Sequence, residues 1–233
     1  MEKRRLRPNM AWLAVALVAT ISCPARAQTE HDVQIWANLT VTGLIGPRLA
    51  YFVEVQPRTI DGVQRLNQLI FRPAIGWRFS NEVTAYGGYM HVLLPNPVGR
   101  NANEDRLFAQ LSWNLSDLAG GKLSSRSRIE RRGVSTGHDT GWRAREMLRY
   151  VHPLTTPDRP RALVSLEMFA ALDDTDWGAH AGFDQARTFV GLEVPIKGST
   201  STFEIGYLNQ TVNAAGGVVR VNHIASLALF IRP

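Results

Sequence analysis

The chain has 233 residues, with 26 basic side chains, 20 acidic ones and a formal net charge of +6. Residues 1–27 contain five of the basic side chains and one of the acidic ones, so residues 28–233 carry 21 basic and 19 acidic side chains. A nucleic-acid-binding protein is expected to have a strongly basic surface, and this near balance excludes that class of partner. The length of residues 28–233 suits a single domain.

Residues 1–27 have the features of a secretory signal peptide. Basic residues between Lys3 and Arg7 precede an apolar stretch at 11–22, and Ala25-Arg26-Ala27 supplies a small-x-small cleavage pattern. The apolar stretch is too short for a membrane-spanning helix, which needs roughly 20 apolar residues. We therefore predict export and a mature chain that begins at Gln28.

Cys23 is the only cysteine in the sequence and lies inside the predicted signal peptide. Thr20 and Pro24 occupy the positions where a lipoprotein signal has a Leu-like residue and a small residue, which disfavours lipid attachment. The mature chain is therefore expected to have neither a disulfide nor thiolate chemistry.

Beyond residue 27 the sequence predicts an all-β domain over 28–233. Polar and apolar residues alternate with period two in segments separated by Gly, Pro, Asn and Asp, and sustained helical periodicity is missing. The candidate strands are 33–44, 48–58, 65–79, 83–94, 104–115, 122–132, 142–152, 161–171, 184–195, 201–211 and 220–231.

The two faces of these strands differ in a way that favours a barrel. In the segment 65–79, for example, Phe71, Ile75 and Trp77 share one face, and Gln68 and Arg72 lie on the other. The polar faces are rich in Arg, Glu and Gln, and Arg suits paired, enclosed positions. An apolar exterior and a polar lumen indicate a transmembrane β-barrel of the outer membrane. A soluble periplasmic β-sandwich is the alternative, with the polar faces in water.

The connections and the aromatic residues fit the same prediction. Short links at 45–47, 80–82, 116–121, 153–160 and 196–200 alternate with longer ones at 59–64, 95–103, 133–141, 172–183 and 212–219. Outer-membrane barrels have short periplasmic turns, longer external loops and aromatic girdles. We assign the girdles to Trp36, Trp77, Trp113, Trp142 and Phe230.

The strand count poses a parity problem. The alternation of links directs both the first and the last strand towards the periplasm, which gives eleven strands, whereas bacterial barrels of this class have an even number. We therefore expect a single antiparallel barrel of about 12 strands (10–12). Either a further short strand lies in one of the longer segments, or the first segment is not a full wall strand.

The mature sequence resembles a family of bacterial envelope barrels, the domain of unknown function 2490. The resemblance implies an outer-membrane barrel and brings no established activity with it. It is carried by Gln34-Ile35-Trp36, residues 54–58, 72–76, Gly88-Tyr89, residues 126–132, 143–145, 148–150, 167–169, Arg187 with Gly191-Leu192, residues 206–210 and Asn222-His223.

The predicted lumen faces supply the candidate functional residues. A cationic constriction would favour small anions, since charged rings set the selectivity of a pore; alternatively, an Arg–Glu ladder ties opposite walls together and fills the interior. The residues are Glu54, Gln56, Arg58, Gln68, Arg72, Arg106, Gln110, Arg126, Arg128, Glu130, Arg132, Arg143, Arg145, Arg149, Glu167, Arg187, Glu193, Glu204 and Gln210.

Catalytic and metal-binding motifs are weak in this sequence. His223 and Ser226 are three residues apart and should point to opposite faces of a strand. Ser165 and Glu167 share a predicted lumen face, but no histidine is placed beside them. The acidic residues at 173, 174 and 176 match no calcium-loop spacing. We therefore predict no cofactor, no metal and no enzymatic activity, with an outer-membrane lipid-modifying enzyme as the alternative.

The sequence thus predicts a structural envelope protein, or a narrow porin-like channel that favours small anionic solutes, in the outer membrane of a Gram-negative bacterium. The expected partners are outer-membrane lipid, lipopolysaccharide and the barrel-assembly machinery during biogenesis, with a small anionic solute as a further candidate and no nucleic acid.

Overall fold

A computed structural model describes residues 28–156 and 159–233. The predicted signal peptide at 1–27 lies outside the described residues. Eleven strands form one closed β-barrel, in which each strand pairs with its neighbours in the sequence. The strands are β1 (Thr29–Ile45), β2 (Leu49–Ile60), β3 (Arg65–Arg78), β4 (Val83–Leu94), β5 (Ala102–Leu118), β6 (Gly121–Val134), β7 (Thr140–Pro153), β8 (Arg161–Ala171), β9 (Gly182–Pro195), β10 (Thr202–Ala214) and β11 (Val218–Ile231).

The strands correspond one to one with the eleven predicted segments. The bounds of β4 and β8 are those predicted, and most of the others extend further than the alternation indicated. The barrel closes with eleven strands and not with the predicted twelve, a number inside the predicted range of 10–12. The closed barrel likewise rules out the alternative sandwich.

The barrel closes through a parallel seam between β1 and β11. Hairpin connections reverse the chain at every step, so with an odd number of strands the first and the last run in the same direction. The seam pairs Thr29 with Val219 at one end and Val41 with Ile231 at the other. The prediction of a wholly antiparallel barrel was therefore wrong at this seam, which also resolves the parity problem.

The connections define two ends of the barrel. The turn end has the connections 46–48, 79–82, 119–120, 154–160 and 196–201; the loop end has 61–64, 95–101, 135–139, 172–181 and 215–217. The longest connection, 172–181, is at the loop end as predicted, but 61–64 and 215–217 are short because the strands extend further there. Both β1 and β11 run from the loop end to the turn end.

The barrel wall has apolar residues outside and charged residues inside. On the outer face Phe71 is 46% exposed, Ile75 59% and Val190 54%, whereas Glu130 inside the barrel has no exposed surface. Across the described ranges, no helix is long and apolar enough to span a lipid bilayer. Charged residues are rarely buried in proteins unless they are paired.

Interior aromatic rings pack over glycines of adjacent strands. A Cβ atom on Gly88 would lie 2.4 Å from Cζ of Phe108, and one on Gly206 would lie 2.6 Å from Cζ of Phe189. Glycine inside a strand often marks such a close approach. The rings of Phe52 and Phe108, with centroids 6.2 Å apart, extend this packing across the interior between β2 and β5.

Two of the five predicted girdle aromatics lie inside the barrel. Trp77, Trp113 and Trp142 are exposed on the outer wall. Trp36 is 4% exposed and lines interior cavities, as does Phe230. The girdle assignment was wrong for these two residues because strand alternation places them on the lumen face, where Trp36 shares the parity of Gln34 and Asn38.

Candidate functional site

The candidate site is the charged interior of the barrel. The nineteen residues predicted for the lumen converge there, because period-two alternation turns every second side chain of a strand inwards. All of them are buried or part-buried, and they line interior cavities or join the ion pairs between the strands. Contact of these residues with a solute stays a prediction.

Glu130 on β6 is the centre of the interior network. Its carboxylate accepts a hydrogen bond from Nη2 of Arg143 at 2.6 Å and one from Nη1 of Arg145 at 2.5 Å. Nη1 of Arg128 lies at 3.5 Å and Nη1 of Arg106 at 3.7 Å. Four guanidinium groups from β5, β6 and β7 thus share one buried carboxylate, which connects these three strands.

A second carboxylate, Glu167 on β8, extends the network around the wall. Its Oε1 lies 2.7 Å from Nη2 of Arg145 and 2.8 Å from Nη2 of Arg126. Nη1 of Arg187 on β9 approaches Oε2 at 3.7 Å. Arg145 therefore bridges Glu130 and Glu167, so that one ionic network runs from β5 to β9.

Smaller ion-pair clusters complete the interior. Arg72 and Glu54 pair at 2.9 Å, and Arg149 contacts Glu204 at 2.6 Å. These contacts join strands separated by zero to two others around the wall. The predicted Arg–Glu ladder is present, but it was expected to tie opposite walls together. Among the described residues its ion pairs instead join strands that are close to each other around the wall.

Several members of the network were not among the residues predicted for the lumen. Glu104 pairs with Arg106 at 2.7 Å and with Arg132 at 2.5 Å. It begins a predicted strand and has the parity of Arg106, so alternation alone would have identified it. Asp184 contacts Arg143 at 3.2 Å, and Arg161 contacts Glu193 at 2.7 Å. Asp184 and Arg161 lie near strand ends, where the alternation is weakest.

The interior space divides into a cavity near the loop end and cavities near the turn end. The loop-side cavity has a volume of about 220 Å³. Next to it lies the turn-side cavity, of about 340 Å³. Five residues line both and form what we name the middle layer. The middle layer consists of Trp36, Arg58, Arg72, Arg145 and Arg187.

Trp36 organises the middle layer by cation–π contacts. The Cζ atom of Arg58 lies 3.8 Å from the ring centroid of Trp36, and Cζ of Arg187 lies 5.0 Å from it. Arg58 also donates hydrogen bonds to the amide oxygens of Gln56 and Gln68. The tryptophan therefore holds two guanidinium groups close together in the interior, where their charges repel each other.

The catalytic candidates do not converge. His223 contacts Tyr207 and His31 on the exposed side of the wall, whereas Ser226 lines the turn-side cavity. The predicted opposite orientation is confirmed. Ser165 and Glu167 share the turn-side cavity, and no histidine is among the described residues that line it.

The acidic cluster at the loop end fixes loop conformation. Asp173 accepts a hydrogen bond from the backbone N–H of Trp142 at 2.7 Å, and Asp176 accepts one from His138 at 2.7 Å. The backbone N–H groups of His138 and Asp139 lower the pKa of Asp176 below its usual value. Among the described residues, no three or more His, Cys, Asp or Glu side chains are grouped to hold a metal ion.

Comparison with known proteins identifies the family. The chain is 44% identical over 223 residues to an uncharacterized protein of Methylorubrum extorquens, an alignment that covers 94% of this chain and 97% of that relative. No solved structure matches the chain. The family described as protein of unknown function (DUF2490) matches residues 33–222, from β1 into β11. The chain therefore belongs to the DUF2490 family, as its motifs predicted.

Proposed function

We propose that the protein is an outer-membrane β-barrel of a Gram-negative envelope whose interior is closed at mid-height by its own ion pairs. The observation that carries the proposal is the reversed polarity of the wall. Exposed aliphatic and aromatic side chains surround the barrel, among them Phe71, Ile75 and Val190. Apolar surface of this extent indicates contact with a membrane or a partner, and an apolar band outside a polar lumen is typical of outer-membrane barrels.

The packing of the interior supports a closed lumen. Arg128 and Arg143 are each 4% exposed and Glu130 is wholly buried, whereas the side chains of a water-filled pore contact solvent. Eight strands leave an interior that side chains fill, and sixteen leave a channel. Eleven strands lie between these cases, and the long arginine side chains fill the additional width. A structural envelope role therefore fits better than open diffusion.

A narrow anion-favouring channel is the second candidate. Ten of the nineteen predicted lumen residues are arginines and five are glutamates, and an excess of one sign of charge sets the selectivity of a pore. Conduction would require the middle layer to move aside. In either case outer-membrane lipid and lipopolysaccharide would cover the apolar wall, and the barrel-assembly machinery would insert it.

Cysteine labelling in a Gram-negative host tests the location. If the signal peptide is removed, the mature chain has no cysteine, so an introduced one is unique. Val98 in the connection 95–101 is 95% exposed, and Lys197 is exposed at the turn end. A membrane-impermeant maleimide on intact cells should label the Val98→Cys variant and reach the Lys197→Cys variant only after lysis.

The wild-type chain, treated in the same way, gives the background of that experiment. Both variants should fractionate with the outer membrane and migrate as heat-modifiable barrels. Recovery of the folded protein in the soluble periplasmic extract would contradict the proposal. Labelling of the Lys197→Cys variant alone on intact cells would keep the membrane location and reverse the orientation.

A further inference from the structure

The loop-side cavity combines surplus positive charge with a route to the surface. Eight arginines line it, and among the described lining residues Glu104 is the one carboxylate. The side chain of Arg220, which also lines it, is 44% exposed, so the cavity reaches the loop end of the barrel. Like charges this close destabilise one another, and an anion in the cavity would relieve the repulsion.

One of these arginines has no carboxylate partner among the described residues, and a second has only one, at the long end of the ion-pair range. Within the part of the chain that the structure describes, no acidic oxygen is within ion-pair distance of Arg58, whose hydrogen bonds go to neutral glutamines. The nearest carboxylate oxygen to Arg187 is that of Glu167, at 3.7 Å. Both guanidinium groups are held beside Trp36. Both positive charges are on the lining of the cavity, where they would attract an oxyanion.

Three residues that line the cavity have a buried polar atom with no hydrogen-bond partner among the described residues. Nε of Arg72 and Nε of Arg187 are donors of this kind, and Oδ1 of Asn222 is an acceptor. The amide nitrogen of Asn222 donates to Oε1 of Gln210 at 3.0 Å, which fixes the orientation of the amide group. Unpartnered buried polar atoms cost free energy and are uncommon in native proteins. A ligand with both acceptors and a hydroxyl donor would satisfy them together.

We propose that the loop-side cavity binds a small hydroxylated organic anion, no larger than one sugar acid or sugar phosphate. Its acidic group would lie against Arg58 and Arg187, and a hydroxyl would donate to Oδ1 of Asn222. The volume of about 220 Å³ is below the roughly 300–1,000 Å³ of pockets for drug-sized ligands. The inference rests on the proposed closed lumen, which makes this space a cavity and not part of an open pore.

Titration calorimetry on the refolded mature chain in detergent tests the proposal. Glucuronate and glucose 6-phosphate are the probes, with glucose as the neutral control and acetate as the control without hydroxyl groups. We expect saturable binding of at least one probe at one site per chain, and at least about tenfold weaker binding of both controls. Absence of saturable binding by both probes would overturn the proposal, as would equal affinity for acetate.

Matched variants locate the site. Asn222→Asp keeps the shape of the side chain and adds a negative charge inside the cavity, so the affinity for the probe should fall at least about tenfold. Asn38→Asp makes the same change in the turn-side cavity and should leave the affinity unchanged. If the Asn222→Asp chain does not refold, Arg187→Gln replaces it, with the same expected loss. An unchanged affinity in the cavity variant would overturn the assignment.

The outcomes separate this inference from the proposed function. Saturable binding together with steady ion conductance of the wild-type barrel in a planar bilayer would place the anion site in an open pore and contradict the closed lumen. A folded barrel that conducts no ions and binds neither probe would agree with the closed lumen and overturn the site.

Discussion

The carboxylate of Glu130, which has no exposed surface, accepts hydrogen bonds from both Nε and Nη2 of Arg143, at 3.1 and 2.6 Å. β6 and β7 are thereby joined by a charged contact as well as by their backbone hydrogen bonds. Since Arg145, Arg128 and Arg106 approach the same carboxylate, the charge of Glu130 offsets the repulsion among four guanidinium groups.

Removal of this charge should destabilise the barrel strongly. Glu130→Gln leaves the buried Arg128 without a carboxylate partner in the described part of the chain and removes one of the counter-charges of Arg106, Arg143 and Arg145. Breaking a buried ion pair from one side costs about 3–5 kcal/mol. Urea unfolding of the refolded protein in lipid vesicles measures the change in the free energy of unfolding. Glu30→Gln is the control, because Glu30 pairs with Arg220 where both side chains are exposed, and such pairs contribute about 0–1 kcal/mol. Equal losses in the two variants would contradict the central role of Glu130.

The glycine contacts predict a different response in two adjacent residues. Gly88→Ala places a methyl group 2.4 Å from Cζ of Phe108 and 2.7 Å from the carbonyl oxygen of Pro73, whereas a Cβ atom on Gly87 meets nothing within 4 Å. Overpacking of this kind typically costs about 1–3 kcal/mol. Thermal or urea unfolding should show that Gly88→Ala lowers the free energy of unfolding by this amount. A loss of the same size for Gly87→Ala would show that strand propensity, not the ring contact, is responsible.

Much of the fold was predictable from the sequence because alternation reports directly on which face of a strand is buried. The alternation predicted all eleven strands and correctly assigned the nineteen lumen residues to the interior. The parallel seam was not predictable, because pairing between Thr29 and Val219 joins residues at opposite ends of the chain and has no local pattern. The role of Trp36 was missed for a different reason: its position near a strand end resembled a girdle residue, and its stacking with Arg58 and Arg187 depends on three strands meeting inside the barrel.

The pKa of Asp176 predicts a pH-dependent contact at the loop end. Its carboxylate accepts backbone hydrogen bonds from His138 and Asp139, which lowers its pKa in the folded state below the usual 3.8. The contact between the two connections is therefore complete above the usual pKa and is lost as the pH falls through the lowered value. Trp177, whose Nε1 donates to the carbonyl oxygen of Asp139 at 2.9 Å, reports on the contact.

Fluorescence of Trp177, taken as the difference between wild type and Trp177→Phe, should change in acid at a pH below 3.8. In the Asp176→Ala variant the acid signal should already be present at neutral pH. Asp174→Ala removes a carboxylate that bonds within its own connection, to the N–H of Ala181, and should keep the wild-type profile. A wild-type profile in Asp176→Ala would contradict the assignment.

Single-channel recording of the refolded, heat-modifiable mature chain in a planar bilayer tests the closed lumen most directly. We predict an electrically silent wild-type barrel, and conducting steps in the double variant Arg72→Ala with Arg145→Ala, which removes two side chains of the middle layer. Stable open steps in the folded wild-type protein would contradict the closed lumen, and an anion preference in those steps would establish the narrow channel in its place.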